Sequence, residues 1–264
     1  MPTDHTSRRI GLARALSKLG YCSRAQAAEM IRAGRVRLNA MLRRDPETPV
    51  HLERDRIAVD GRAIQSEQRV YLVMNKPRGV VTTASDEKER ETVYSVLERS
   101  GESLPWVAPI GRLDKASEGL LLLTNDSEWG ARVADPETHL EKTYHVQIGV
   151  VADEDFIREI ERGVRTEEGG FLRASGCRLL RAGEKNCWLE ISLHEGKNRQ
   201  IRRIFEALGV EVLRLLRIRI GSLNLGALAK GTYRRLTALE KEALDSAMDA
   251  RERTRLPERK TKAL

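Results

Sequence analysis

The sequence predicts an α+β protein in two parts, a small amino-terminal module followed by a larger domain. Within the first sixty residues, two stretches with helical spacing of apolar side chains are followed by alternating, strand-like stretches. Residues 62–69 are mostly polar and suit a linker. From Val70 onward, apolar or alternating runs typical of strands are interspersed with amphipathic helical patterns.

The composition favours a polyanionic partner, because Lys and Arg outnumber Asp and Glu by 47 to 39 and the net charge is +8 at pH 7. Cys22, Cys177 and Cys187 form no C-x-x-C pair, and the histidines lack metal-ligand spacing. We therefore expect neither a disulfide framework nor a metal site. No apolar stretch approaches the roughly 18 residues that a membrane helix needs, so we expect a cytoplasmic protein without membrane contact.

The elements of the amino-terminal module follow from spacing and caps. Residues 1–8 are polar and expected to be flexible. Apolar side chains recur at helical spacing over residues 10–19, and Gly20 ends that helix. Ser23 and Gln26 form a capping-box pattern that opens a second helix. Two alternating stretches then predict short strands, at 36–39 and 55–61.

Basic side chains are dense on this module. Arg24, Arg32 and Arg35 flank the second helix, where a phosphate backbone could lie against its exposed side. A solvated basic surface is the alternative interpretation of the same pattern.

The stretch from Gly111 to Gly119 crowds charged side chains into a turn ahead of four leucines, which predict a buried strand. Asp114 follows an apolar residue and lies two positions from Arg112, so burial would raise the pKa of its carboxyl group while a guanidinium could keep it ionised. An ionised carboxylate in a partly dry site is a usable nucleophile or base. The alternative is a solvated loop with internal ion pairs.

Three further stretches carry candidate site residues. Lys76 lies in a turn that Pro77 imposes after a core strand. It is a candidate site residue, and the alternative is that it is only a charged side chain of a hairpin turn. Tyr144 lies on an alternating strand over 141–148, where a tyrosine most often belongs to the core. An amphipathic helix capped by Asn198 has basic side chains near its start: Lys197, Arg199, Arg202 and Arg203. This position suits the binding of phosphate groups, and a solvated helix surface is the alternative.

The carboxyl-terminal part alternates arginines with aliphatic side chains over 212–220, which predicts a strand that carries Leu215. From the pattern alone, a leucine at this position belongs to the core. Residues 243–264 are predicted to form a basic, disordered tail.

The larger domain resembles the pseudouridine synthases, and most of all the RsuA-like ribosomal RNA branch. Gly-Arg-Leu-Asp at 111–114, followed by Ser-Glu-Gly and an aliphatic strand ending in Thr-Asn-Asp, is similar to the catalytic loop of that family. Three other motifs of the family have counterparts here: Asn-Lys-Pro-x-Gly at 75–79, Lys-x-Tyr at 142–144, and Gly-Lys-Asn-Arg-Gln-Ile-Arg-Arg at 196–203.

The amino-terminal module resembles the S4 RNA-binding domain. The similarity rests on Leu-x-x-Leu-Gly-x-x-Ser-Arg-x-x-Ala and on the later Ile-x-x-Gly-Arg-Val-x-x-Asn. It covers residues 9–65, and the synthase resemblance covers 70–242. Together they imply an S4 domain, then a catalytic domain with a mixed, mainly antiparallel sheet and flanking helices.

The resemblance implies site-specific isomerisation of uridine to pseudouridine in ribosomal RNA, with large-subunit 23S rRNA as the favoured target. Asp114 would be the nucleophile or base, Tyr144 would stack on the target base, and Arg202 would pair with Asp114. The residues expected to contact RNA are Lys76, Arg112, Lys197, Arg199, Arg203 and Leu215, together with the three arginines of the S4 domain.

The reaction implied by the resemblance needs no cofactor, because the isomerisation involves no redox change. We expect a monomer that binds ribosomal RNA, either in a stem-loop or in a precursor particle. Attack on the sugar and elimination both remain open as routes. The same chemistry on 16S rRNA or tRNA, and an rRNA-binding protein without catalysis, are the alternative functions.

Overall fold

The structure is a computed structural model that describes residues 9–84, 88–167 and 169–255. The chain forms two compact units. The first comprises Met1–Tyr71, Gly101–Pro109 and Leu123–Gly130, and the second comprises Leu72–Ser100, Ile110–Leu122 and Ala131–Leu264. The amino-terminal segment that was expected to be flexible, residues 1–8, lies outside the described residues.

The amino-terminal part of the first unit has two helices and six short strands. In chain order, these are β1 (Ile10–Gly11), α1 (Leu12–Lys18), α2 (Arg24–Arg32), β2 (Val36–Leu38), β3 (Met41–Arg43), β4 (Pro49–Val50), β5 (Ile57–Val59) and β6 (Arg62–Ala63). Strands β3-β2-β5-β6 form an antiparallel sheet, and β1 pairs with β4. Apolar side chains from both helices and from β2 and β5 share one core.

The predicted capping box of α2 is confirmed. Ser23 Oγ accepts from the Gln26 amide and the Gln26 side chain accepts from the Ser23 amide, each at 3.1 Å. Strand β3 was not predicted, because Met41 and Leu42 are 60% and 46% exposed and adjacent, and so give no apolar alternation.

The remaining elements, in chain order, are β7 (Tyr71–Lys76), α3 (Val93–Glu98), β8 (Ala108–Ile110), β9 (Glu118–Thr124), α4 (Ser127–Ala134), a 3₁₀ turn (Pro136–Thr138), β10 (Lys142–Ile148), α5 (Glu154–Arg162), β11 (Val164–Arg165), β12 (Phe171–Leu172), β13 (Gly176–Ala182), β14 (Cys187–Leu193), α6 (Gln200–Ala207), β15 (Val212–Ile220), β16 (Leu223–Asn224), β17 (Tyr233–Arg235) and α7 (Ala238–Arg255). None of the helices in the described ranges is long and apolar enough to cross a membrane.

A large mixed sheet organises the second unit, in the order β13-β14-β10-β15-β9-β7-β17. β10 pairs antiparallel with β14 and β15, whereas β15 and β9 run parallel. Helices α5 and α6 cover one face of this sheet, where Ile160 and Phe205 join the core of β10 and β14. The predicted α+β class and the mixed sheet with flanking helices are confirmed.

The parallel pair brings two backbones unusually close at Gly119, which lies opposite Arg217. Gly119 has φ +104°, and a Cβ atom there would overlap the carbonyl oxygen and amide nitrogen of Arg217. Only glycine adopts this φ without strain and leaves room for the neighbouring strand. The loop before β9 is therefore anchored at its carboxyl end by a backbone contact.

The predicted disordered tail is wrong over its first part, because α7 continues to Arg255. Leu244 and Met248 lie one turn apart on α7 and are fully buried. The helix contacts β16 and the 3₁₀ turn, and burial of this pair offsets the weak apolar pattern of the segment. Residues 256–264 lie outside the described part of the chain.

Gly119→Ala should lower the free energy of unfolding by more than about 3 kcal/mol, because an added methyl group would have to displace β15. Gly111→Ala is the matched control: Gly111 has φ +69° but open space around it. It should cost only about 1 kcal/mol of conformational strain. Urea unfolding of both variants measures the difference, and equal losses would show that the backbone contact is not limiting.

Candidate active site

A cleft of about 220 Å³ lies in the second unit, at the amino-terminal end of β10. Its walls come from stretches that are distant in sequence: the loop 110–117, the start of β10, the segment 196–201 that leads into α6, and strand β15. Three candidate residues of the sequence, Asp114, Tyr144 and Leu215, line it together. Arg112, Lys197 and Arg199 also line the cleft.

Strand register explains which side chains face the cleft. Tyr144 lies opposite Arg217 of β15 and Ile191 of β14, and a register shift in the β10–β15 pair falls between Thr143 and Tyr144. Directly opposed residues of neighbouring strands point to the same face of a sheet. Tyr144 and Arg217 therefore share the cleft face, and so does Lys142, two residues before Tyr144.

The Asp114 loop is held by its backbone carbonyl groups. Lys76 Nζ donates to the carbonyl oxygens of Asp114 at 3.2 Å, Ser117 at 2.8 Å and Pro77 at 3.1 Å. Three further donors each bind another carbonyl of the loop: the Gly79 amide binds Lys115 at 2.8 Å, Thr82 Oγ1 binds Leu113 at 2.8 Å, and Arg202 Nη2 binds Ala116 at 3.2 Å. The peptide carbonyl groups of residues 113–117 are thus all paired.

The prediction that Lys76 contacts RNA is wrong, because its side chain is fully buried beneath the loop. Burial lowers the pKa of Lys76 to about 8, against the opposing pull of the Asp114 and Glu118 carboxylates. Its ammonium group donates to three backbone carbonyl oxygens. Lys76 fixes the backbone on which Asp114 stands.

The Asp114 side chain is 47% exposed, so it is more open to the cleft than the sequence predicted. Arg199 Nε lies 4.0 Å from Asp114 Oδ2 and is the ion-pair partner that the structure records for this carboxylate. Arg202, the predicted partner, contacts the same loop through Ala116 instead. Burial lowers the pKa of Arg202, and the Asp114 charge opposes that shift.

Two arginines near α6, Arg199 and Arg203, lie in different surroundings. Arg199 occupies the N-cap position with φ +48°, in place of the predicted Asn198 cap, and its side chain does not cap the helix. Arg203 does not line the cleft: its Nη2 donates to Thr166 Oγ1 at 3.3 Å, next to the β11–β12 hairpin. Its predicted RNA contact has no support from this position.

Sequence reasoning missed Lys142 and Arg217 as cleft residues. Arg217 is 6% exposed, its Nε donates to the Leu120 carbonyl at 2.7 Å, and its Nη2 is buried without a partner among the described residues. Burial and the charge of Arg217 lower the pKa of Lys142 to about 8. Both could have been predicted, because residues two apart on a strand share a face. Lys142 shares a face with Tyr144, and Arg217 shares a face with Leu215.

A buried carboxylate also went unnoticed. Glu118 is 3% exposed and forms ion pairs with Arg214 at 2.9 Å and Lys230 at 2.6 Å. Burial alone would raise the pKa of Glu118, but hydrogen bonds from Lys230 and Arg214 outweigh it and lower the pKa. Glu118 is thus a structural anion that begins β9.

The first unit contains an open groove of about 1040 Å³ with a basic wall. The wall includes Arg24 and Arg32 of α2, as predicted, and also Arg9, Arg14 and Lys18. Arg35 is absent from this groove: its guanidinium makes three hydrogen bonds to the Asp60 carboxylate, the shortest at 2.5 Å. Its predicted RNA contact therefore has no support from this groove.

Within residues 9–84, 88–167 and 169–255, no three or more His, Cys, Asp or Glu side chains are grouped so that they could hold a metal ion.

Comparison with known proteins identifies both parts of the chain. A family model described as RNA pseudouridylate synthase matches residues 70–207, and a model of the S4 domain matches residues 10–57. The chain is 36% identical over 240 residues to the ribosomal large subunit pseudouridine synthase B of Bacillus subtilis, with 90% of this chain and 96% of the relative covered. It is 34% identical over 234 residues to an uncharacterized RNA pseudouridine synthase of Aquifex aeolicus, with 88% and 92% covered. A solved pseudouridylate synthase structure is 28% identical and covers 89% of this chain and 99% of its own, with a TM-score of 0.60.

The burial of Lys76 makes stability depend on pH in a defined direction. Its pKa is about 8 in the folded chain and 10.5 when unperturbed, so between these values the unfolded chain binds more protons and stability rises with pH. Relative to Lys76→Met, wild type should gain about 2 kcal/mol in the free energy of unfolding between pH 7 and pH 10. Urea unfolding at both pH values measures this gain.

Lys115→Met is the matched control, since Lys115 belongs to the same loop but its side chain is exposed. It should leave the pH dependence of unfolding as in wild type. A difference between wild type and Lys76→Met that stays constant with pH would mean that Lys76 is not buried as an ammonium group.

Proposed function

The chain belongs to the RNA pseudouridylate synthase family and carries an S4 domain, and from this premise we propose that it isomerises uridine in ribosomal RNA with Asp114 as the reacting carboxylate. The observation that carries the proposal is the cleft in which Asp114 and Tyr144 face the same space. A binding protein without catalysis would have no need to hold every carbonyl of the Asp114 loop.

The chemistry sets what the cleft must supply. The bond between C1′ and N1 breaks, the base turns, and C1′ rejoins it through C5, without oxidation or reduction. A carboxylate can attack C1′ or remove a sugar proton to begin elimination, and it leaves again when the new bond forms. Both routes require an ionised Asp114, and Arg199 and Arg202 supply positive charge beside it.

The target base needs a surface to rest on while it is detached. We propose that it stacks on Tyr144, which contributes roughly 1–3 kcal/mol, with Leu215 beneath it. Leu215 is 6% exposed and packs with the core, so it is both a core residue and part of the cleft floor. A paired uridine must first leave its helix, at a cost of a few kcal/mol.

RNA contacts offset that cost. Arg112, Lys197 and Arg199 surround the cleft opening, where they can bind the phosphates beside the target nucleotide or, for Arg112, fill the gap that it leaves. The basic groove of the S4 domain supplies further phosphate contacts, which are sequence-independent and fix the register of the RNA.

We propose large-subunit rRNA as the substrate, on the support of the Bacillus subtilis relative, which is named for that subunit. Pseudouridine mapping of rRNA from a strain that lacks the gene, complemented with wild type or Asp114→Asn, tests this choice. One 23S uridine modified only by wild type is the expected result. A change confined to 16S rRNA or tRNA would reassign the target, and unchanged maps of all three RNAs would contradict the function.

Asp114→Asn should reduce turnover of an unmodified rRNA transcript to below about 1% of wild type, because it removes the reacting carboxylate and keeps the shape. Its affinity for the transcript should stay within about threefold. The matched control is Asp155→Asn on α5, an exposed carboxylate outside the cleft, which should retain full activity. Substantial turnover by Asp114→Asn would refute the assigned role.

Replacing Arg24 and Arg32 together by alanine should weaken RNA binding and reduce the slope of log K against log salt by about 1.4–1.8, the loss of two phosphate contacts. Arg35→Ala is the matched control, since Arg35 is already paired with Asp60, and it should change the slope by less than about 0.5. Filter-binding titrations at salt concentrations between about 50 and 200 mM measure these slopes, because the affinity for nucleic acid changes strongly over that range. Equal slopes for all variants would exclude the groove from RNA binding.

A further inference from the structure

We infer that Lys142 is a second catalytic residue, which donates a hydrogen bond to a carbonyl oxygen of the uracil ring while the ring is detached from the sugar. The inference rests on the proposed function and extends it to a residue that the motif analysis left without a role. It begins from the position of Lys142 in the cleft and from its ammonium group, which has no partner among the described residues.

The Lys142 side chain lines the cleft, yet among the described residues it makes no hydrogen bond and no ion pair. Neighbouring cations are engaged: Lys76 with loop carbonyls, Lys197 with Glu195 at 3.0 Å, and Arg219 with Glu141 at 2.9 Å. A half-buried ammonium group without a partner is costly, and such a group is retained where a ligand completes it.

Position along the strand brings Lys142 within reach of the target base. Lys142 and Tyr144 project from the same face of β10, about 7 Å apart along the strand. A base stacked on Tyr144 therefore presents one edge toward Lys142, while Asp114 lines the same space from the loop. A lysine side chain is long enough to reach the O2 or O4 oxygen on that edge.

The reaction creates negative charge where Lys142 can meet it. When the C1′–N1 bond breaks, its electron pair stays on the uracil ring and is shared among N1, O2 and O4. The pair is returned when C5 bonds to C1′, and a proton on N1 finally replaces the proton lost from C5. Lys142 keeps its own proton throughout and acts only as a donor to the transient anion, as a preorganised donor does in an oxyanion hole.

The surroundings leave this part of the cleft short of negative charge. The charged groups that face it are Arg217 from β15, Arg112 and Asp114 from the loop, and Lys197 and Arg199 from the segment before α6. Arg217, directly opposite Tyr144, has a buried Nη2 without a partner among the described residues. Burial, together with the charge of Arg217, lowers the pKa of Lys142 to about 8, so the ammonium form prevails at neutral pH and is lost in mildly alkaline solution.

The test uses the full-length protein and an unmodified rRNA transcript that contains the mapped uridine, under single-turnover conditions with enzyme in excess. Lys142→Met should lower the rate of conversion by about 100-fold while the affinity for the transcript stays within threefold. Lys142→Arg should recover at least a tenth of the wild-type rate. Lys185→Met, which removes an exposed lysine in the turn before β14, should behave as wild type.

The pH profile separates a donor role from a structural one. The wild-type rate should fall above about pH 8 as Lys142 loses its proton, and that fall should disappear in Lys142→Arg, whose guanidinium stays charged. Because Lys76 also has a pKa near 8, persistence of the fall in Lys142→Arg would assign it to Lys76 and overturn the inference.

Two other outcomes also overturn it. A wild-type rate for Lys142→Met excludes a catalytic role, and a loss confined to affinity, with a smaller salt dependence, identifies a phosphate contact instead. If Lys142→Met does not fold, the comparison of wild type with Lys142→Arg across pH decides alone. The proposed function fails separately, through an active Asp114→Asn, whereas an inactive Asp114→Asn beside an active Lys142→Met refutes only the role of Lys142.

Discussion

The structure of the active site depends on one set of contacts, the hydrogen bonds that pair the carbonyl groups of the Asp114 loop. Five successive carbonyls, from Leu113 to Ser117, receive hydrogen bonds from Lys76, Gly79, Thr82 and Arg202. Each such hydrogen bond contributes about 0.5–1.5 kcal/mol, and a different loop conformation would break several of them together, so the loop has few alternatives. With its backbone fixed inward, the Asp114 side chain must point outward to the cleft. The motif that contains Lys76 thus fixes the position of Asp114 from beneath the loop.

The same contacts explain the excess of positive charge around the cleft. Carbonyl oxygens need donors, and three of the groups that hold the loop or its strand are cations: Lys76, Arg202 and Arg217. Glu118 does not line the cleft, and its carboxylate is paired with Arg214 and Lys230. The cleft is therefore electropositive before any RNA arrives. The binding of RNA, a polyanion, gains from that field.

Much of this architecture could be predicted from the sequence, because its signals are local. The Ser23–Gln26 capping box and the buried leucines of β9 follow from spacing alone, and the structure confirms both. What failed depends on tertiary contacts. No pattern shows that Lys76 turns inward, that Arg35 meets Asp60, or that Arg199 rather than Arg202 pairs with Asp114, since their partners are 25 to 85 positions away. Helix α7 was missed because two buried residues, Leu244 and Met248, suffice to hold it.

The parallel pairing of β15 with β9 has a consequence for how the protein is made. Strand β9 leaves the ribosome roughly ninety residues before β15, which corresponds to about 5–20 seconds of synthesis. Until β15 is synthesised, the edge of β9 that pairs with β15 lacks that partner, and an unpaired edge beside four leucines favours aggregation. Because β15 also carries Leu215 and Arg217, the cleft is completed only when this late strand inserts between β9 and β10. The cleft therefore cannot form before β15 has been synthesised, and a chain that lacks β15 lacks one wall of it.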